Sequence, residues 1–260
     1  MSIAPVVLYE NRGPVAWITM NRPEARNAMS PELVSGMLEA LHRAESDDSA
    51  IVVVLTGAGD RAFCAGGDLK AGKSTFEFDH SRPSSDIAKL FQFATRLAKP
   101  IVARVNGHVM AGGMGILAMC DLAVAADTAL FGLPEVKIGL FPMQVDALLQ
   151  RLIPRRKLVE MSLTGEPLSA QDALTIGLVN HICPKDELDA KLHWLLDRLL
   201  DKAPTALRLG KHAMESIADM TLPQAMEYMA DQLCKIALTE DGREGLRAFN
   251  EKRKPQWTGR

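Results

Sequence analysis

Apolar positions fall in two kinds of run along this chain, and each predicts a different element. Short runs at residues 6–9 and 15–20 flank Asn11-Arg12-Gly13-Pro14, a turn sequence, so the chain opens on a predicted hairpin. Residues 51–55, 101–105, 122–126 and 129–131 are further short apolar runs, which predicts strands, the first of them rich in β-branched residues. Between them the spacing becomes helical. Ser30 and Pro31 supply an N-cap and a first-turn proline, and Leu33, Val34, Met37, Leu38 and Leu41 then share one face. Ile87, Leu90, Phe91, Ala94 and Leu97 form a second such face, stopped by Pro100. Residues 111–119 predict an apolar helix that starts on glycines. Beyond it the chain is mostly helical, with residues 178–183 as one strand-like interruption and Leu188, Leu192, Leu195, Leu196 and Leu199 again at helical spacing.

This order of strand, helix and strand over the first part of the chain predicts an α/β fold with parallel pairing. No proline- or serine-rich linker divides it. The expected organisation is a core over residues 1–195 and a helical C-terminal region over 196–260, packed on that core or on a neighbouring copy.

Composition narrows the function classes. The 260 residues are 47% hydrophobic and 24% charged, enough for a sizeable core, and the net charge of −2 provides no global field for nucleic acid or an acidic membrane. No run approaches the ~18 consecutive apolar residues of a membrane span, and the first ten residues lack the basic-then-apolar order of a secretory signal. Cys64, Cys120, Cys183 and Cys234 are scattered without a CxxC pair, which suits free thiols in a reducing cytoplasm. No histidine and carboxylate cluster has metal-ligand spacing, so no metal is expected.

The glycines carry the candidate chemistry. Residues 67–74 fit the phosphate-loop expression GxxxxGK[ST], and Gly57-Ala58-Gly59-Asp60-Arg61-Ala62 fits a dinucleotide GxGxxA. Context argues against both. The strand near Leu55 ends about a dozen residues before the first motif, and the residues after Ser74 do not open a helix. After the second motif comes Phe63-Cys64-Ala65-Gly66-Gly67, a poor helix start. A third reading joins two clusters, Phe63-Cys64-Ala65-Gly66-Gly67-Asp68-Leu69-Lys70 and Asn106-Gly107-His108-Val109-Met110-Ala111-Gly112-Gly113-Met114-Gly115. Small residues let backbone N–H groups approach a ligand, and the second cluster also opens a helix, whose N-terminus favours negative charge. Two such loops can aim N–H donors at one developing oxyanion.

These segments resemble the crotonase superfamily, the enoyl-CoA hydratase/isomerase family, nearly end to end. Residues 21–28 are similar to its NRP…NA segment, residues 65–69 to its AGADL loop, and residues 106–113 to its NGxxxGGG segment. Phe131-Gly132-Leu133-Pro134-Glu135 resembles FGxPE, Thr164-Gly165-Glu166 resembles TGE, and Gly177-Leu178-Val179-Asn180 resembles GLVN. The resemblance implies a spiral of ββα repeats with a C-terminal helical trimerisation part, assembled as a homotrimer or a hexamer of paired trimers. It implies an acyl-CoA thioester substrate, coenzyme A being part of that substrate and no separate cofactor. It places Gly67 and Gly112 as oxyanion donors and Glu135 as the catalytic acid/base. Arg26, Ala28, Ala65, Asp68, Leu69, Lys70 and Pro134 then fall on substrate-binding segments, with Arg26 and Lys70 suited to the phosphates of the nucleotide end.

One departure matters. Hydratases of this family carry a second glutamate where this chain has Gly115. Water addition needs one group to activate water and another to deliver the α-proton, whereas one carboxylate can shuttle a proton along an allylic system. Double-bond isomerisation is therefore the chemically easier outcome. A hydratase that uses Glu135 with a substitute group, drawn from Glu77, Asp79 or His80, is one alternative, and a non-catalytic thioester-binding protein is another. Asp146 reads as a packing or surface residue, His108 as packed, and Asp121 as structural.

Overall fold

The computed structural model describes residues 4–69 and 85–260. The hairpin pairs β1 (Val7–Arg12) with β2 (Val15–Met20) antiparallel, from Val7↔Met20 to Arg12↔Val15. Gly13 and Pro14 alone form its loop, and Gly13 accepts φ +58° because it has no Cβ. β1 outruns its apolar stretch because an edge strand needs only backbone pairing, and Glu10, Asn11 and Arg12 stay exposed on it.

From β2 onward the chain winds as a spiral. β3 (Val52–Gly57), β5 (Ile101–Val105), β7 (Leu122–Ala126) and β10 (His181–Cys183) add in parallel to give a large sheet ordered β1-β2-β3-β5-β7-β10. A smaller sheet runs β4 (Ala62–Cys64), β6 (His108–Met110), β8 (Leu130–Gly132) and β9 (Leu168–Ser169). Each turn gives one strand to the large sheet, one to the small sheet, and then a helix: α2 (Asp86–Arg96), α3 (Gly112–Ala118) and α4 (Met143–Leu149). The first turn is abbreviated. In place of a small-sheet strand it has the single residue Met29, bridged in parallel to Gly67, before α1 (Pro31–Ser46) begins. The expected α/β class and ββα repeat are therefore present.

The run of β-branched residues in β3 reflects burial on both faces, the usual state of a central parallel strand. Val53 and Leu55 join the main core with Ile18, Leu33, Met37, Leu41 and Leu90. Val52 and Val54 face the other way, with Val15, Trp17, Val102 and Val124, against Leu188, Leu192, Leu195 and Leu196 of a helix spanning Leu188–Leu200. The expected boundary at 195/196 lies inside this sheet-packed helix. α1 starts as its sequence predicts, with the Ser30 hydroxyl accepting from Leu33 N at 3.3 Å, a cap worth about 1 kcal/mol.

One strand expectation needs correction. The strand predicted over 178–183 is paired only at 181–183, because Leu178 and Val179 instead point their amides back to Ala173 O. As its context indicates, the GxGxxA segment does not enter a helix: Gly57 ends β3 and Ala62 begins β4. Residues 70–74 of the phosphate-loop expression lie outside the described residues, as do Glu77, Asp79 and His80.

Further helices, Pro204–Ser216, Leu222–Ala237 and Glu240–Asn250, close the chain. Buried Lys211 ties the first of them to the core by donating to Asp121 Oδ2 at 2.6 Å and Lys99 O at 3.0 Å. The same Asp121 oxygen accepts from Ile101 N at 2.7 Å, the structural role expected of it. Among the described residues no helix is long and apolar enough to cross a membrane.

Candidate active site

The two glycine clusters meet where the small sheet ends. β4 leads into Ala65-Gly66-Gly67-Asp68, and β6 leads through Ala111 into α3. Met29 clamps the first loop: Met29 N donates to Gly66 O at 2.7 Å, and Asp68 N donates to Met29 O at 3.0 Å. These bonds leave the Gly67 amide between them without a protein acceptor among the described residues. The second loop lies directly against the first. A Cβ at Gly66, whose φ is +93°, would stand 2.5 Å from Ala111 Cβ and 3.4 Å from Gly112 N, and a Cβ at Gly113 would stand 2.5 Å from Cys64 O. A Cβ at Gly112 would overlap the end of the Met29 side chain. Small residues are needed here because backbone packs on backbone. Ala111 holds φ +50°, a strained value for a residue with a Cβ, and its amide is fixed to Gly132 O at 2.8 Å.

That last bond joins the second loop to the strand that leads to Glu135. β8 pairs with β6 at Met110↔Gly132 and runs into a 3-10 turn, Pro134–Ile138, closed by Gly139 at φ +79° and by Leu140 N donating to Glu135 O at 3.0 Å. Glu135 is half-buried in this turn. Its Oε2 is buried and has no hydrogen-bond partner among the described residues. Burial pushes its carboxyl above the ordinary carboxylate value, its own backbone amide pulls the other way, and the charge of Asp146 raises it further. An unpartnered buried carboxylate is costly, and a group held so is suited to taking and returning a proton.

Asp146, which its sequence context marks as a packing or surface residue, is half-buried on α4, where both carboxylate oxygens accept from the Ser162 hydroxyl at 3.1 and 3.2 Å. Burial raises its own value, and the Ser162 hydroxyl opposes that shift. His108, expected to be packed, is exposed, with Nδ1 accepting from Leu130 N at 3.2 Å. Cys64 adjoins the loops, yet burial pushes its thiol up to about 12, so it carries no thiolate near neutral pH.

The remaining candidates divide. Arg26 is exposed with φ +53°, and its carbonyl accepts from Ala65 N at 3.1 Å, so the first polar loop is tied to the first glycine loop by backbone. Ala28 is buried, Ala65 and Pro134 are half-buried, and Leu69 is exposed. Lys70 lies outside the described residues. Asp68 is buried and pairs with Arg22 Nη2 at 2.8 Å.

Two residues of the NRP…NA segment do more than their sequence context indicates. Arg22 Nη1 also donates to Ala28 O at 2.6 Å, so this guanidinium bridges the first polar loop to the first glycine loop. Asn27 is fully buried at φ +55°. Its Oδ1 accepts from Arg22 N at 3.0 Å, and its Nδ2 donates to Ala58 O and Ala62 O, both at 2.9 Å. A buried amide with its bonds satisfied fixes the loop around it. The signal in the sequence is a polar Asn beside the apolar run 28–29.

Gly115, also on α3, is buried, and the space a side chain would need there is taken by Phe91 of α2. A Cβ would overlap the ring at Cζ and stand 2.7 Å from Cε2. Among the described residues no group of three His, Cys, Asp or Glu side chains is placed to hold a metal ion.

Residues 10–260 match the family model described as enoyl-CoA hydratase/isomerase. A Thermus thermophilus protein provisionally named an enoyl-CoA hydratase is 36% identical over 95% of this chain and 98% of its own length. The crystal structure of an enoyl-CoA hydratase from Mycobacterium smegmatis superposes with a TM-score of 0.92 at 32% identity, covering 97% of this chain and 99% of that one. An enoyl-CoA hydratase/isomerase from Mycobacterium paratuberculosis gives 0.87 at 34% identity, covering 98% of each chain.

Proposed function

The chain belongs to the enoyl-CoA hydratase/isomerase family, and from that premise we propose that it shifts the double bond of an acyl-CoA thioester, with Glu135 carrying the proton. The observation behind this reading is a buried carboxylate oxygen at 135 with no partner among the described residues, combined with a ring where a second carboxylate would stand. In a 3-enoyl thioester, ionised Glu135 takes the proton from the α-carbon. The released electron pair delocalises onto the thioester oxygen, where the Gly67 and Gly112 amides donate. Protonated Glu135, whose proton exchanges with solvent between the two transfers, then delivers a proton to the γ-carbon, leaving a 2-enoyl thioester and regenerating the carboxylate. One aligned oxyanion donor contributes about 3–4 kcal/mol to the transition state.

Arg26, Ala28, Ala65, Asp68, Leu69, Lys70 and Pro134 belong to the segments that would meet the substrate. In this reading Asp68 acts through Arg22, holding the loop rather than the ligand. Hydration is the second reading, and the observation favouring it is the charge of Asp146 acting on Glu135.

The test is direct. Purified protein given a 3-enoyl-CoA in deuterated water should form the 2-enoyl isomer with deuterium entering at carbon, and should hydrate crotonyl-CoA much more slowly. Hydration as fast as isomerisation would favour the second reading. Binding with neither exchange nor turnover would identify a passive thioester-binding protein.

We also infer assembly as a trimer or paired trimers. Leu222, Met226, Leu233, Leu246 and Phe249 are exposed on the C-terminal helices, with Phe249 82% exposed, and apolar surface of that kind is usually covered by association. Sedimentation should give three or six times the chain mass. A monomer would refute it.

A further inference from the structure

Glutamate is missing at position 115, but absence alone would leave open space in the direction of its side chain, and here the Phe91 ring occupies that direction. Gly112 and Gly115 are three residues apart on α3, so they share one face of that helix. Along this face, the Cβ direction of Gly112 meets the end of Met29, whose backbone brackets Gly67. One turn further, the Cβ direction of Gly115 meets the Phe91 ring, with Cζ, Cε2 and Cε1 all inside normal contact distance of a Cβ. Phe91 is 3% exposed and packed in the main core, with its helix started by the Ser85 hydroxyl accepting from Ala88 N at 3.1 Å. The ring is therefore fixed, and a phenyl edge offers water no hydrogen bond.

We propose that Phe91 is the specificity-determining wall of this site: its ring, seated where a side chain at 115 would stand, keeps water from the substrate's β-carbon and restricts the site to proton transfer. The proposal rests on the isomerase reading above and adds the reason for it. Hydration of a 2-enoyl thioester forms a C–O bond at the β-carbon and a C–H bond at the α-carbon, consuming one water, which must be held beside the β-carbon and lose a proton. Isomerisation needs no such water. Glu135 supplies proton transfer in either case, so the ring decides by exclusion.

The experiment compares wild type with Phe91→Ala, Phe91→Leu and the double variant Phe91→Ala/Gly115→Glu. For each, the rate of crotonyl-CoA hydration is divided by the rate of 3-enoyl-CoA isomerisation, which isolates the reaction outcome from general loss of activity. Phe91→Ala should raise this ratio by about tenfold or more, equivalent to roughly 1.4 kcal/mol of discrimination. Phe91→Leu should fall between it and wild type, and the double variant should exceed both. If Phe91→Ala does not fold, Phe91→Leu, which keeps most of the apolar volume, decides the outcome. An unchanged ratio in whichever Phe91 variants fold overturns the proposal while leaving the isomerase reading intact. Wild type that binds a 3-enoyl-CoA but forms no 2-enoyl isomer takes both down.

Discussion

Replacing Glu135 by Gln is expected to lower turnover by roughly 10²–10⁴-fold, the usual contribution of one positioned acid/base group, while binding of an acyl-CoA product is retained. Initial rates of isomerisation and a binding titration check the two halves together. Substantial activity in the variant would remove Glu135 from the reaction. The pH dependence adds a sign. Glu135 must be ionised to take a proton, and its carboxyl is raised by burial, helped by the Asp146 charge against the pull of its own amide. The acid limb of the wild-type rate profile should therefore lie above the ordinary carboxylate value of 4.5. For stability the same shift runs the opposite way. A carboxyl raised by folding favours the folded state below its unfolded value and loses that contribution as pH rises through its folded value. Glu135→Gln should thus gain stability relative to wild type as pH climbs from below 4.5 toward neutrality. A stability gap that does not move with pH would contradict the assignment.

Gly113→Ala is expected to disable the site from the backbone side. The new Cβ would meet Cys64 O at 2.5 Å and Cys64 Cβ at 2.9 Å, and a buried strand end cannot swing away as a flexible side chain would. Alanine improves helix propensity by up to ~1 kcal/mol at such a position, but overpacking a buried contact costs about 1–3 kcal/mol, so the clash wins. The two loops must separate. Displacing an aligned oxyanion donor lowers turnover by about 10²–10³-fold, so activity should fall far more than thermal stability. Gly112→Ala, whose Cβ meets only the flexible end of Met29, should be the milder change. Equal activity in the two variants would argue against the loop geometry.

Much of the site was legible in the sequence for a local reason. Ser30-Pro31 before a periodic apolar run announces α1, and the glycines at 66–67 and 112–113 announce backbone that must approach something closely. Leu192, Leu195 and Leu196 likewise show a helix face, although not that it packs on the large sheet. The strands β4, β6 and β9 were not legible, since runs of two or three residues carry no alternation. Their pairing is with one another and with β8, partners distant in the chain.

What the sequence determined by itself is the inventory: a winding α/β chain, two close-approach loops, a glutamate after a proline, and a glycine where hydratases of the family carry an acid. Tertiary structure alone decided what those positions face. Met29 pairs with Gly67, Asn27 reaches Ala58 and Ala62, Asp146 lies close enough for its charge to act on Glu135, and Phe91 fills the space over Gly115. Each joins residues on separate elements. Local spacing reports only neighbours along a helix or strand, whereas burial, charge coupling and excluded volume arise between surfaces that the completed fold brings together.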